Sequence, residues 1–285
     1  EGYIDYIKWD MNRHLTDIFS SQLPVHRQGE VSHRYILGVY HLLERITQSY
    51  PDVLFEGCSG GGGRFDIGWA YYMPQSWASD NTDAIARINI QYGTSLVYPI
   101  SSMTAHVSAV PNHQTGRITS IATRGHVAMS GVLGYELDLT KMTDDEKRIV
   151  SEQISAYKEV RSLVQFGRFY RLKSLIDGNE VSWMFVSEDQ EEALLMTAQV
   201  LSSAQPVLTK TKLVGLNPEL EYEHIPIFRE IPNSQTVGYF DSIYAHKPIE
   251  FGQIYSGEEL MNLGIYNPVV RQDFYTQMYY FKAKK

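Results

Sequence analysis

Short apolar runs alternate with helix-patterned stretches through the first 165 residues, and this alternation restricts the fold more than any other feature of the chain. The runs are Tyr3–Asp10, Val53–Cys58, a stretch ending in Ser76–Asp80, Ser95–Ser101 and Val132–Leu137. Between the first two, Tyr35, Ile36, Val39, Leu42, Leu43 and Ile46 recur at helical spacing over 32–49, and Pro51 closes the helix. Further helices are predicted from "NTDAIARINIQYG", near 117–129, and from Thr143-Asp144-Asp145-Glu146 to about Gly167. The last begins with a capping box, in which the Thr and Glu side chains satisfy each other's free amides. Strand, helix and strand in repetition mean parallel strands joined by helical crossovers. Strands of that kind are covered on both faces, which accounts for their continuous apolar character and disfavours a solvated surface edge for the first of them. The fold class is α/β.

The texture changes after about residue 170. Asn179–Ser187, Ala193–Ser202 and Gln235–Tyr244 read as strands, separated by Asp177-Gly178-Asn179, Asn217-Pro218 and Ser256-Gly257. A smaller antiparallel β domain is therefore expected, with domains at 1–168 and 169–285. Bulk properties exclude several classes of function. A net charge of -8 and a pI near 5.6 argue against nucleic acid or an anionic membrane as partner. No apolar run is long enough to span a membrane. The one cysteine, Cys58, rules out a disulfide within the chain and fits a reducing, cytoplasmic setting. Neither H-E-x-x-H nor a Cys pair occurs, so a dedicated zinc site has no support.

Polar residues gather at the C-terminal ends of the runs, the end where (β/α)8 barrels assemble their active sites. In "YIKWDMNR", Lys8, Asp10 and Asn12 share one side of a strand that continues this far. Asp10 and Asp80 end predicted strands with one other strand between them, so their backbones are expected roughly 10 Å apart. Two carboxylates across a small ligand are what glycoside hydrolysis needs, and Lys8 beside Asp10 would keep that carboxylate ionised. Asp80 equally suits the N-cap of the helix that follows. "EGCSGGGGRFD" fits neither phosphate-binding glycine motif. Its glycines permit either a tight turn or close backbone approach to a ligand. Cys58 reads as a small buried hydrophobe or as a thiol nucleophile. His106, His113 and Arg117 are expected in a long loop after the fourth strand, as solvated or capping groups or as substrate contacts. Trp9 and Trp77 read first as core residues, although either ring could offer a sugar a stacking face.

"YIKWDMNR", "CSGGGGRFD", "SWASDNTDAIARINIQYG", "HVSAVPNHQTGR" and "YSGEELMNLGI", in this order, resemble the family 36 glycoside hydrolases, chiefly microbial α-galactosidases, from Tyr6 to about Ile265. The resemblance implies retaining hydrolysis of terminal α-galactosides of the melibiose and raffinose type, with Asp10 as nucleophile and Asp80 as general acid/base. It implies that Lys8 and Asn12 contact galactose hydroxyls, and that Cys58 and Gly61 line the sugar pocket. No metal or organic cofactor is implied, and the full-length protein is expected to be a homo-oligomer. The resemblance also implies a (β/α)8 TIM barrel of which this chain carries strands 4–8, followed by a small antiparallel β-sandwich. It is thus expected to be a C-terminal portion, poorly active alone. Galactosyl transfer of the raffinose-synthase kind, α-N-acetylgalactosaminidase activity, and a non-catalytic portion that complements an N-terminal half are the alternatives.

Overall fold

Four of the five apolar runs become parallel strands: β1 (Tyr6–Asp10), β2 (Leu54–Cys58), β3 (Gln75–Trp77) and β5 (Val132–Glu136). The computed structural model describes residues 2–227, 251–268, 270 and 272–284, so the expected strand at Gln235–Tyr244 lies outside the described residues. The fourth run is a correction. Strand β4 is Met103–Ser108, and the predicted "SLVYPIS" forms turns leading into a short 3-10 helix at Ile100–Ser102. Pro99 has no amide to give to a ladder, and Leu96 and Val97 stay 63% and 75% exposed. In "MTAHVS", by contrast, Met103, Ala105 and Val107 are fully buried. These strands make one parallel sheet in the order β1-β2-β3-β4-β5, the partial (β/α)8 arrangement expected.

Packing divides the chain into two units. The first runs up to Asp80 and includes Ser102–Thr104; the second comprises Asn81–Ser101 and the chain from Ala105 onward. In the first, helix α1 (Val31–Ser49) lies between β1 and β2 in the chain, where its periodicity placed it. Its packed face is Val39, Tyr40, Leu43 and Ile46, which meet Phe55, Trp69 and Met73, while Ile36 and Leu42 point outward. Each large side chain so buried stabilises the fold by about 1.5–3 kcal/mol. A short helix absent from the sequence reading, α2 (Ile67–Tyr72), starts at Asp66, whose carboxylate accepts from the Trp69 amide at 2.8 Å. It supplies Trp69 to the same core. Strand β1 is the edge of the described sheet, so Lys8 and Asp10 are exposed rather than covered. The rule that parallel strands are buried holds for strands with a neighbour on each side, which β1 lacks among the described residues.

The second unit contains helices α3 (Ala84–Thr94), α4 (Ile121–Ala128) and α5 (Asp144–Phe166). The Thr143–Glu146 capping box at the start of α5 forms as predicted. Gly167 ends that helix in extended rather than left-handed backbone, and a side chain there would strike the Leu163 carbonyl. Beyond it come β6 (Arg168–Lys173), β7 (Glu180–Val186), β8 (Glu192–Gln199), β9 (Lys210–Thr211), β10 (Glu221–Ile225), β11 (Ile254–Ser256), helix α6 (Gly257–Asn262), β12 (Ile265–Tyr266) and β13 (Tyr275–Ala283). Six of these strands form an antiparallel sheet, β11-β10-β13-β8-β7-β6, and β12 pairs with β9. Met184, Val186, Leu195, Leu213, Tyr222, Tyr279 and Phe281 make its core. This is the antiparallel β region anticipated after residue 170.

Candidate functional site

At the C-terminal end of β1, Asp10 lies in register with Cys58 at the end of β2. Beyond that pair both strands give way to polar loops that are stitched together. The Met11 amide donates to the Cys58 carbonyl at 3.3 Å, and the Ser59 hydroxyl donates to the Met11 carbonyl at 2.6 Å. Asn12 does two things at once. Its Nδ2 donates to Asp10 Oδ2 at 2.9 Å, while its Oδ1 accepts from the Gly60 amide at 2.6 Å. The side chain is thereby locked between the carboxylate and the glycine turn.

The glycines are needed where the chain reverses. Gly61 has φ of +78°, and a Cβ there would lie 2.6 Å from Ser79 Cα and 2.7 Å from the Asp80 amide nitrogen, both backbone atoms. Gly62 likewise meets the Ala78 carbonyl at 2.6 Å. The turn is therefore packed directly on the segment that delivers Asp80, three residues past the end of β3. Asp10 borders this turn from one side, through Cys58 and Asn12, and Asp80 from the other, through Gly61. Six predicted residues (Lys8, Asp10, Asn12, Cys58, Gly61 and Asp80) are thus gathered around one loop.

Electrostatics fills in what local pattern does not give. Lys8 Nζ lies 3.7 Å from Glu56 Oε1 and 4.9 Å from the centre of the Trp77 ring. Its ion pair is thus with Glu56, a residue the sequence reading did not single out. Glu56 is almost completely buried and also accepts from Thr104 Oγ1 at 2.9 Å. A buried carboxylate needs a cation or donors, so Glu56 fixes Lys8 over the Trp77 ring, beside the turn. The available signal was the i, i+2 spacing of Glu56 and Cys58 in "LFEGC", which puts a charge on the same side as the thiol. Trp77 is core, as expected, yet its face carries the Lys8 ammonium. Cys58 is buried, and its thiol is pushed up to about 11, chiefly by burial, with its hydrogen bond to Asp10 acting in the same direction. At neutral pH it is a thiol, so it serves as a hydrogen-bonding partner of the carboxylate and not as a nucleophile.

Asp80 does not cap the helix that follows it. That role belongs to Asp83, whose Oδ2 accepts from the Ala86 amide at 3.2 Å. His106 is also corrected. It lies within β4 instead of a loop, with Nδ1 3.1 Å from Glu136 Oε2. Arg117 pairs with Asp83, and His113 is exposed. None of these three belongs to the unit that holds both aspartates. Among the described residues no group of three or more His, Cys, Asp or Glu could hold a metal ion, and no helix is long and apolar enough to cross a membrane. Two carboxylates bordering one turn, one of them with thiol and amide donors, can perform paired acid–base and nucleophilic work on a small ligand.

Residues 1–167 match the melibiase family, and residues 180–281 match the glycosyl hydrolase family 36 C-terminal domain. Over 280 residues the chain is 61% identical to α-galactosidase 1 of Pediococcus pentosaceus, which covers 98% of this chain and 35% of that protein. It is 54% identical, with the same coverage, to an α-galactosidase of Lactobacillus acidophilus. The crystal structure of the α-galactosidase AgaA of Geobacillus stearothermophilus superimposes with a TM-score of 0.87 at 52% identity, over 99% of this chain and 36% of that one. Variants of AgaA have been crystallised with raffinose and with stachyose at the same TM-score. The chain thus spans about a third of the length of the curated relatives it matches.

Proposed function

We propose, from the premise that this chain belongs to the melibiase family of glycoside hydrolases, that it carries the two catalytic carboxylates of a retaining α-galactosidase. In this reading Asp10 attacks the anomeric carbon while the Asp80 carboxylic acid gives its proton to the departing glycosidic oxygen. A galactosyl ester on Asp10 results. Asp80, now a carboxylate, takes a proton from water as that water displaces Asp10 and releases α-galactose. Lys8 and Asn12 would hold sugar hydroxyls, and Cys58 and Gly61 would line the pocket. The observation that carries the reading is the single glycine turn bordered by both aspartates, Asp10 at the end of β1 and Asp80 three residues past the next-but-one strand β3. Further support comes from AgaA. Its raffinose and stachyose complexes each have a different aspartate replaced, and those two positions are as many residues apart as Asp10 and Asp80.

We place the domain boundary between 168 and 169, in keeping with the two family matches. Self-association of the whole protein and residence in the cytoplasm complete the proposal. The test is the stereochemistry of an aryl α-galactoside's hydrolysis by the protein in its natural full length, followed by NMR, together with Asp10→Asn. The expected outcome is α-galactose as first product and a loss on the order of 10⁴-fold in kcat for the variant. First release of β-galactose, or an active Asp10→Asn, overturns the assignment.

A further inference from the structure

The three residues directly after Asp80 are each tied down. Asn81 Oδ1 accepts from the Asp83 amide at 3.0 Å. The Thr82 amide donates to Gln114 Oε1 at 3.1 Å, and Thr82 Oγ1 accepts from Asn112 Nδ2 at 2.9 Å. Asp83, 2% exposed, takes the Arg117 guanidinium on the same oxygen that caps α3. The segment that makes these contacts is itself closed. The Asn112 amide donates to the Arg117 carbonyl at 2.9 Å and the Gly116 amide to the Asn112 carbonyl at 2.8 Å. Asn112 Oδ1 also collects the Gln114 and Thr115 amides at 3.0 Å each. Arg117 is further seated 5.0 Å from the centre of the Phe274 ring, and the Phe274 carbonyl is held by Thr123 Oγ1 at 2.8 Å.

Helix capping alone does not require this. Asp83 caps α3 through one carboxylate oxygen and the Ala86 amide, and Thr82 plays no part in that cap. The effect of Asn112, Gln114 and Arg117 together is to remove backbone freedom from residues 81–83, leaving Asp80 covalently joined to a fixed point. We propose that the 112–117 loop, through Arg117 on Asp83 and Gln114 on the Thr82 amide, is a positioning device for Asp80 as proton donor. The inference rests on the acid/base reading of Asp80 given above. A general acid works only within hydrogen-bond reach of the leaving oxygen, and a displacement near 1 Å costs about 100-fold. Arg117 touches no reacting atom in this account; it acts through Asp83.

Leaving-group dependence separates this role from a merely structural one. A sugar leaving group needs the proton, whereas a dinitrophenolate departs without it, so loss of the acid's placement selectively slows the former. The assay compares kcat/KM for raffinose and for a dinitrophenyl α-galactoside in the full-length protein, for Arg117→Ala, Arg117→Lys, Gln114→Ala and Asp80→Asn. Gln114 is exposed, so its variant keeps the test open should Arg117→Ala leave buried Asp83 without a partner and fail to fold. Asp80→Asn is expected to lower the raffinose value about 100-fold or more relative to the activated substrate. Arg117→Ala should show the same split at about 10- to 100-fold, Gln114→Ala a smaller one, and Arg117→Lys should recover part of it. If Asp80→Asn shows the split while Arg117→Ala and Gln114→Ala slow both substrates equally, the loop only stabilises the fold and the proposal fails. If Asp80→Asn shows no split, the acid/base reading fails first and this inference falls with it.

Discussion

Gly61→Ala isolates the contact between the glycine turn and the segment that carries Asp80. The methyl group has to enter a space where the nearest backbone atoms lie 2.6 and 2.7 Å away, whereas ordinary contact begins at 3.4 Å, so the turn and the 78–80 segment must part by roughly 0.8 Å. The left-handed backbone of this residue adds about 1–2 kcal/mol for any side chain. Gly60→Ala is the matched control. Gly60 also has positive φ, at +55°, but its nearest neighbour is Asn12 Oδ1 at 4.0 Å, so a methyl group there makes only ordinary van der Waals contact. Both variants are therefore expected to lose about 1–2 kcal/mol of stability by urea unfolding. Gly61→Ala alone should also push the Asp80 backbone aside and lower kcat/KM for an α-galactoside by about 30- to 100-fold. Kinetics and unfolding midpoints on the same full-length preparations provide the comparison. A Gly61→Ala enzyme within threefold of Gly60→Ala would show that the close approach of the turn to Asp80 does not set the reacting geometry.

Two further predictions concern single titrating groups. His126 on α4 is buried with Nδ1 2.9 Å from Thr276 Oγ1, and burial lowers its pKa from 6.5 to about 4. The unfolded chain binds a proton below about pH 6.5 while the native state refuses it, so stability should fall between pH 6.5 and 4 by up to roughly 3 kcal/mol. Urea midpoints at pH 7.0, 5.5 and 4.5 should flatten in His126→Gln, and an unchanged slope would remove His126 as the cause. For Cys58, a thiol raised from 9.0 to about 11 has about 100-fold less thiolate at pH 8 than an ordinary one. Iodoacetamide should therefore label the native chain at least that much more slowly than the urea-unfolded chain, and comparable rates would contradict the buried, Asp10-bonded thiol.

What the sequence made legible is what depends on near neighbours. The period of α1, the Thr143 capping box and the strand character of "YIKWD" and "LFEGC" depend on residues within a few positions, and the structure forms all of them. The misplacement of β4 shows where this stops. "SLVYPIS" has the more β-prone composition, yet Pro99 cannot join a ladder, and "MTAHVS" is a strand because its small and apolar side chains are covered by distant parts of the chain. Helix α2 is six residues long, too short to declare a period, and forms on the Asp66 cap and the burial of Trp69.

The site divides along the same line. Residue types and strand-end position nominated Asp10 and Asp80, and the parallel order β1-β2-β3 follows from the alternation of elements. The contacts that give those residues their surroundings are long-range: Asn12 to Gly60, Gly61 against Ser79 and Asp80, Glu56 to Lys8 and Thr104. A helix-capping rule applied to "DNTDA" admits Asp80, because a first aspartate before a helical pattern fits the cap as well as a second. The chain caps with Asp83, and this choice has a chemical consequence. A carboxylate that caps a helix and also pairs with a guanidinium is committed to holding structure. That commitment falls on Asp83, three residues past Asp80, which Arg117 also engages. If Asp80 is the proposed proton donor, this short segment carries one carboxylate bound in a helix cap and, three residues earlier, one outside that cap.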